Sequence, residues 1–243
     1  MENNSIIDQL KQLKLLGMVE TLSVRTDQAN QEGLSYQEVL SLLLDDELQR
    51  RANQALSKRL AMAKFERMQT FEGLELTAYP IKLQQKIRDL MCGHYLEAKQ
   101  NIIIMGPTGT GKTHLAQALG HQACRQGKNV RFVRACIFWR ELYASRAENK
   151  WDQEFKRFVK PDLLIFDDFG LSTIDKVQAE EMYELIAQRH MNSSTIVTSN
   201  RSVESWVELF PEPIMGNAAL DRLANNAHQL LLEGESYRKK NRP

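Results

Sequence analysis

Residues Gly106-Pro-Thr-Gly-Thr-Gly-Lys-Thr113 match the phosphate-loop pattern G-x-x-x-x-G-K-[ST] in full. Asn101-Ile-Ile-Ile-Met105 precedes them, a short apolar run suited to a buried parallel strand. His114-Leu-Ala-Gln-Ala-Leu-Gly-His-Gln-Ala-Cys-Arg125 follows, with its apolar residues at helical spacing. The motif therefore sits in the strand–turn–helix context that separates a working phosphate loop from a chance match. Gly106, Gly109 and Gly111 allow left-handed backbone angles that turn N–H groups inward as an anion nest. Lys112 reaches for the β- and γ-phosphates, and the Thr113 hydroxyl is suited to magnesium. The expected nucleotide-binding set is Gly106, Pro107, Thr108, Gly109, Thr110, Gly111, Lys112, Thr113 and His114. A nucleoside triphosphate is the implied ligand.

Strands and helices alternate after the loop. Strands are expected near Val130–Arg134, Asp162–Asp167, Ser194–Ser199 and His228–Glu233, with helices near 137–143, 151–159, 176–191 and 218–224. That alternation implies an α/β fold, a five-stranded parallel sheet flanked by helices. Before the loop, a helix over 5–22 carries Ile6, Leu10, Leu13 and Leu16 on one face. A second opens on Ser35-Tyr-Gln-Glu38, which has the form of a capping box, and runs without Gly or Pro to about Met68. Residues 69–79 read as an ordered linker that lays apolar side chains near the base, and 81–94 as one more helix. Two domains are expected, a helical one over 1–68 and the nucleotide-binding one over 69–243.

Leu163-Leu-Ile-Phe-Asp-Asp168 is an apolar strand that delivers two carboxylates to the loop's edge of the sheet. In a triphosphate hydrolase Asp167 holds magnesium opposite Thr113, and Asp168 orients and deprotonates the attacking water. Glutamate is the commoner residue at the second position, so the shorter Asp168 predicts slow turnover. Thr195-Ile-Val-Thr-Ser-Asn200 ends in an amide that can polarise the water or touch the γ-phosphate, provided this strand lies between the other two. Arg222, in Gly216-Asn-Ala-Ala-Leu-Asp-Arg-Leu223, fits either an arginine supplied to a neighbouring subunit's phosphate or an internal ion pair with Asp221 or Glu233. Spacing does not separate the two.

Taken together, the phosphate loop, the Asp-Asp strand, Ile-Val-Thr-Ser-Asn, Ala-Leu-Asp-Arg-Leu and Gly234-Glu-Ser-Tyr-Arg238 resemble the IstB/DnaC branch of the AAA+ ATPases, and most of all the IstB helpers of insertion-sequence transposition. The likeness extends across most of the chain. It implies Walker A at Gly106–Thr113, Walker B at Asp167 and Asp168, sensor 1 at Asn200 and an arginine finger at Arg222. ATP and Mg2+ are the implied cofactors, with catalysis resting on Lys112, Asp167, Asp168, Asn200 and Arg222. An ATP-dependent homo-oligomer joined through the ATP site, binding duplex DNA and recruiting or stimulating a transposase, is the implied activity. A replicative helicase loader is the alternative. The sequence departs from the AAA+ pattern in ending about ten residues after its last strand, which leaves no room for a helical lid; Arg238 stands where it could partly substitute.

Composition narrows the remaining choices. The net charge is +1 in 243 residues, with 42% hydrophobic and 26% charged residues, values ordinary for a globular protein able to bury a core. That total conceals two basic tracts. Residues 50–67 hold Arg50, Arg51, Lys58, Arg59, Lys64 and Arg67 against Glu66 alone, and residues 125–160 hold ten Lys or Arg against four acidic residues. Such tracts are ordinarily solvated faces. The resemblance gives them weight as DNA contacts, at Arg50, Arg51, Lys58 and Arg59 on the long helix and at Arg140, Arg146, Lys150, Lys156, Arg157 and Lys160 on a channel-lining element. Contacts of that kind are with phosphate, hence sequence-independent and salt-sensitive. Cys92, Cys124 and Cys136 have no metal-ligand spacing, no run is long enough to span a membrane, and the start has no basic leader, so a cytoplasmic protein with buried, reduced thiols is expected. Asn200-Arg-Ser-Val203 is not a guanine-reading N-K-x-D sequence, and the Asp-Asp strand with Asn200 and Arg222 argues against a small-molecule kinase.

Overall fold

The computed structural model describes residues 2–233, with side chains from Ser5 onward. Gly234–Arg238, including Arg238, and the basic tail after it lie outside the described residues. The chain divides into two compact units, Met1–Lys58 and Arg59–Pro243.

The first unit is helical: α1 (Glu2–Gln12), α2 (Leu16–Glu32) and most of α3 (Tyr36–Ala63). One helix was expected where α1 and α2 stand. The break falls at Lys14, which takes φ 58°. There Lys14 N donates to Lys11 O and Leu15 N to Leu10 O, the paired bonds that close a helix on a left-handed residue. Glycine is the usual signal for such an ending, and a lysine gives none. Helix α3 does open on a capping box, with Glu38 N donating to Ser35 Oγ and Ser35 N to Glu38 Oε2. It ends at Ala63 rather than near 68, before another left-handed lysine, Lys64 at φ 54°. Helices α2 and α3 approach closely at Gly17, where an added Cβ would meet Glu47 Cα at 2.7 Å. The buried Glu47 carboxylate accepts from Gly17 N, and Arg25 grips Asp46 through two bonds of 2.7 and 2.8 Å.

In the second unit, two 3-10 turns (Phe71–Gly73 and Leu76–Ala78) lead to α4 (Ile81–Met91) and the short α5 (His94–Glu97). The helix expected over 81–94 is thus interrupted, at Gly93 with φ 83°. Then follow β1 (Asn101–Met105), α6 (Lys112–Arg125), β2 (Val130–Arg134), α7 (Ala135–Ala147), α8 (Trp151–Val159), β3 (Leu163–Phe169), α9 (Lys176–Arg189), β4 (Ser194–Ser199), α10 (Pro213–Ala224) and β5 (Ala227–Leu231). Helix α10 starts five residues before the expected 218 because Pro213 occupies its first turn, where a missing N–H costs nothing. The sheet is wholly parallel, in the order β2-β3-β4-β1-β5.

Strands buried on both faces explain the continuous apolar runs. On one face α6 lies so near that a Cβ on Gly120 would meet Ile165 Cδ1 at 2.6 Å. On the other, Phe138, Phe155, Phe158, Leu164, Phe166, Leu185 and Trp206 form the main core with α7 to α10. At the starting edge of the strands, Arg189, 2% exposed, donates to the carbonyls of Phe158, Val159, Pro161 and Ser194 and to Thr195 Oγ1. It anchors the entrances of β3 and β4. Of the thiols, all free, only Cys124 is buried; Cys92 and Cys136 are exposed. Among the described residues no helix is long and apolar enough to cross a membrane.

Candidate nucleotide site

The loop leaves β1 and returns as the first turn of α6, so the helix N-terminus faces its hollow, an arrangement that favours anions. Gly106, Gly109 and Gly111 have φ of 147°, 89° and 93°. A Cβ at Gly106 would strike Leu232 O at 2.2 Å, and one at Gly111 would strike the Tyr79 hydroxyl at 2.8 Å. Both glycines are therefore required by close approach as well as by angle. Tyr79, buried at the end of the linker, donates to Thr110 O, and Thr110 Oγ1 donates to Pro107 O. Lys112, 7% exposed, lies along the loop with Nζ donating to Gly106 O and Pro107 O at 2.8 Å each. Pro107 and Thr108 form the exposed rim. The linker also reaches the next residue: the Thr70 backbone bonds the His114 ring, while burial lowers the His114 pKa.

Strand β3 brings Asp167 to the loop as expected, fully buried. Thr113 Oγ1 donates to Asp167 Oδ1 at 2.9 Å and lies 3.1 Å from Oδ2. One hydroxyl and one carboxylate, both hard oxygen donors, suit a magnesium ion that keeps most of its coordination for phosphate and water. No cluster of three or more His, Cys, Asp or Glu that could hold a metal ion occurs among the described residues. The glycine nest and this oxygen pair fit ATP with Mg2+. Burial pushes the Asp167 carboxyl above its ordinary value; the Thr198 hydroxyl opposes that, the Asp168 charge adds to it, and Thr113 and Arg134 oppose it.

At Asp168 the strand is irregular. Phe166 pairs with Val197 and Phe169 with Ser199, so three steps on β3 face two on β4, a β-bulge. Asp168 sits in the bulge at φ 59°, half-exposed. Strand β4 does lie between β3 and β1, and exposed Asn200 follows its last residue at the loop's edge of the sheet. Ser199 O accepts from Gly106 N, and Ser199 Oγ donates to Phe169 O. The two hydroxyls at the end of β4, Thr198 and Ser199, carry no signal in the sequence, where they read as strand formers.

Arg222 is placed elsewhere. Asn101, the first residue of β1, donates from Nδ2 to Leu223 O at 3.0 Å. The five residues of β1 separate that point from Gly106, about 16 Å of strand. The Arg222 guanidinium stacks 4.8 Å from the Tyr183 ring centre, and Nη1 is buried with no hydrogen-bond partner. Among the described residues it makes no ion pair with Asp221 or Glu233.

The basic tracts divide sharply. Arg50 pairs with Glu20, Arg51 with Glu47, Arg146 with the buried Glu181, Lys150 with Glu148 and Arg157 with Glu154. Arg59 donates to Cys124 O. Lys58, Arg140, Lys156 and Lys160 are exposed and have no intramolecular partner among the described residues. Beside Arg140 stands Tyr143, 80% exposed, an aromatic that the charge count passed over.

A family model described as IstB-like ATP binding protein matches residues 8–243. An insertion-sequence ATP-binding protein of Mycobacterium tuberculosis is 40% identical over 235 residues, 96% of this chain and 94% of the relative. The ATP-binding protein of insertion sequence IS21 from Pseudomonas aeruginosa is 31% identical over 235 residues, covering 97% and 88%. Among solved structures, AMPPCP-bound DnaA from Aquifex aeolicus aligns with a TM-score of 0.60 at 19% identity, over 71% of this chain and 52% of that one. The DnaC helicase loader aligns at 0.53 and 21% identity, over 65% and 96%. At such identities these two likenesses establish the AAA+ fold alone. The family match and the relatives aligned along nearly all of the chain go further: the chain belongs to the IstB-like ATP binding protein family.

Proposed function

We propose that this chain is an ATPase whose ATP-bound subunits assemble on duplex DNA and present it to a transposase. The observation that carries the reading is that Arg222 lies beside the start of β1 and Lys112 beyond its end. An arginine at the start of β1 cannot reach phosphates held at its end by the same subunit. A role for Arg222 at a γ-phosphate then requires a second copy, and ATP becomes a joint between subunits. The relatives that match nearly all of the chain are named for insertion sequences, which favours transposition over helicase loading.

Within one subunit the loop N–H groups and Lys112 bind and align the phosphates. Thr113 and Asp167 would hold magnesium, which when bound neutralises charge across the β- and γ-phosphate oxygens. Asn200 orients a water and Asp168 takes its proton. The water oxygen bonds to the γ-phosphorus as the bond from that phosphorus to the ADP oxygen breaks. The neighbour's Arg222 steadies the developing charge. Residues 69–243 carry this chemistry, and the helices of 1–68 make contacts with neighbours or the partner protein. For DNA, Arg140, Lys156 and Lys160, unpaired among the described residues, are the strongest part of the surface read from sequence, with exposed Tyr143 on the same helix as Arg140. Arg50, Arg51, Arg59, Arg146, Lys150 and Arg157 already have partners.

Mass measurement in solution, with ATP and a duplex, tests the reading. The wild-type chain grows into a larger assembly on adding ATP and the Lys112→Ala variant does not. Equal assembly by both overturns the nucleotide joint.

A further inference from the structure

Thr198 is fully buried in the middle strand of the site. Its hydroxyl has one proton and two lone pairs, and both capacities are committed. Oγ1 donates to Asp167 Oδ1 at 2.6 Å and accepts from Asp168 N at 2.9 Å. One side chain thus holds the carboxylate of one acid and the backbone of the next. The bulge explains the second bond. Without the Thr198 hydroxyl, Asp168 N–H would be a part-buried donor with no partner across the bulge among the described residues. Asp168 is also held at φ 59°, a left-handed angle uncommon inside a strand. Among the described residues, Thr198 Oγ1 is the side-chain atom that bonds the Asp168 backbone.

We infer that Thr198 is a positioning residue for hydrolysis, acting through the Asp168 backbone to aim that carboxylate while steadying Asp167. The inference rests on the ATPase reading above. Its consequences for the two acids differ. Asp167 keeps a second hydroxyl partner, Thr113, when Thr198 is changed. Asp168 keeps no such substitute among the described residues. Loss of the Thr198 hydroxyl therefore falls on turnover more than on nucleotide binding.

Three variants of the full chain test this: Thr198→Val, which keeps the shape and loses the hydroxyl, Thr198→Ser, which does the reverse, and Asp168→Asn. Hydrolysis is measured over a range of ATP, and binding of a non-hydrolysable ATP analogue is measured with and without Mg2+. For Thr198→Val, kcat falls about tenfold or more, as expected for a missing bond in a charged site, while KM and Mg2+-free analogue affinity stay within about threefold. Mg2+ tightens analogue binding less in Thr198→Val than in wild type, because Asp167 has lost one of its two anchors. Thr198→Ser restores kcat to within about threefold of wild type even though its missing methyl lowers the melting temperature. Asp168→Asn, which removes the aimed carboxylate itself, is at least as slow as Thr198→Val. Wild-type kcat and Mg2+ response in Thr198→Val overturn the inference, as does a serine variant as slow as the valine one. Should Thr198→Val not fold, the serine variant decides by the same kcat criterion. Absent hydrolysis by the wild-type chain would overturn the ATPase reading instead, and the Mg2+ response of analogue binding would still decide the role of Thr198.

Discussion

Asp167 shows in one residue how the site trades stability for function. Burial raises its pKa, so the folded state binds a proton more readily than the unfolded state. The sign follows from that. Below the ordinary carboxylate range the group costs nothing; as pH rises through the folded value the buried charge is forced on the folded state, and the cost persists at neutral pH. Asp167→Asn removes the charge and keeps the shape. The variant should melt higher than wild type without nucleotide, by about 2–4 °C for each kcal/mol relieved in a chain of this size, and hydrolyse no ATP. Calorimetry at neutral pH checks the first part; a lower melting temperature contradicts the reading of Asp167 as a carboxylate held against its burial. The sequence made Asp167, Thr113 and the three loop glycines legible because each is needed by chemistry or by backbone angle. Thr198 was not legible, since its role depends on a bulge that only the pairing of β3 with β4 reveals. Arg222 was left between two readings by its spacing. The structure supplies neither of the named ion pairs, and what distinguishes the residue is the edge of the sheet on which it lies.

Among the elements, strand positions were easy to read and several helix ends were not. Buried parallel strands announce themselves as apolar runs, and β2 and β4 fall within the expected limits. Helix ends at Lys14 and Lys64 escape because a lysine, rather than a glycine, takes the left-handed angle. Charge was the least reliable guide to elements. The basic count on α3 suggested a DNA-binding face, yet of Arg50, Arg51, Lys58 and Arg59 only Lys58 is unpaired among the described residues. Partners at positions 20 and 124 are set by folding and leave no mark in a local count, and Glu47, one turn before Arg51 on the same helix, lies just outside the tract counted. Helices α7 and α8 retain Arg140 and Lys156 unpaired among the described residues, with Tyr143 exposed. Arg140→Glu with Lys156→Glu should weaken duplex binding at low salt and flatten the salt dependence by roughly one unit of slope for each phosphate no longer neutralised. A binding titration across salt concentrations reads this. Unchanged affinity and slope would return α7 and α8 to an ordinary solvated surface.

At the scale of the whole molecule, the parallel sheet puts Lys112, Thr113, Asp167, Asp168 and Asn200 at one edge and Arg222 at the other. On the proposed reading, a subunit so built carries half of one catalytic site and the completing arginine for another. The central claim is that ATP joins two copies of this chain, and mixing two defective variants tests it most directly. Asp168→Asn keeps Arg222 but lacks the carboxylate that takes the water's proton; Arg222→Ala keeps that carboxylate and lacks the arginine. Each alone, with ATP, Mg2+ and duplex DNA, should hydrolyse almost nothing. An equal mixture should recover hydrolysis, because Arg222 from one variant can then complete the Asp168-containing site of the other. A mixture no more active than its separate components, or wild-type hydrolysis by Arg222→Ala alone, would contradict the shared site.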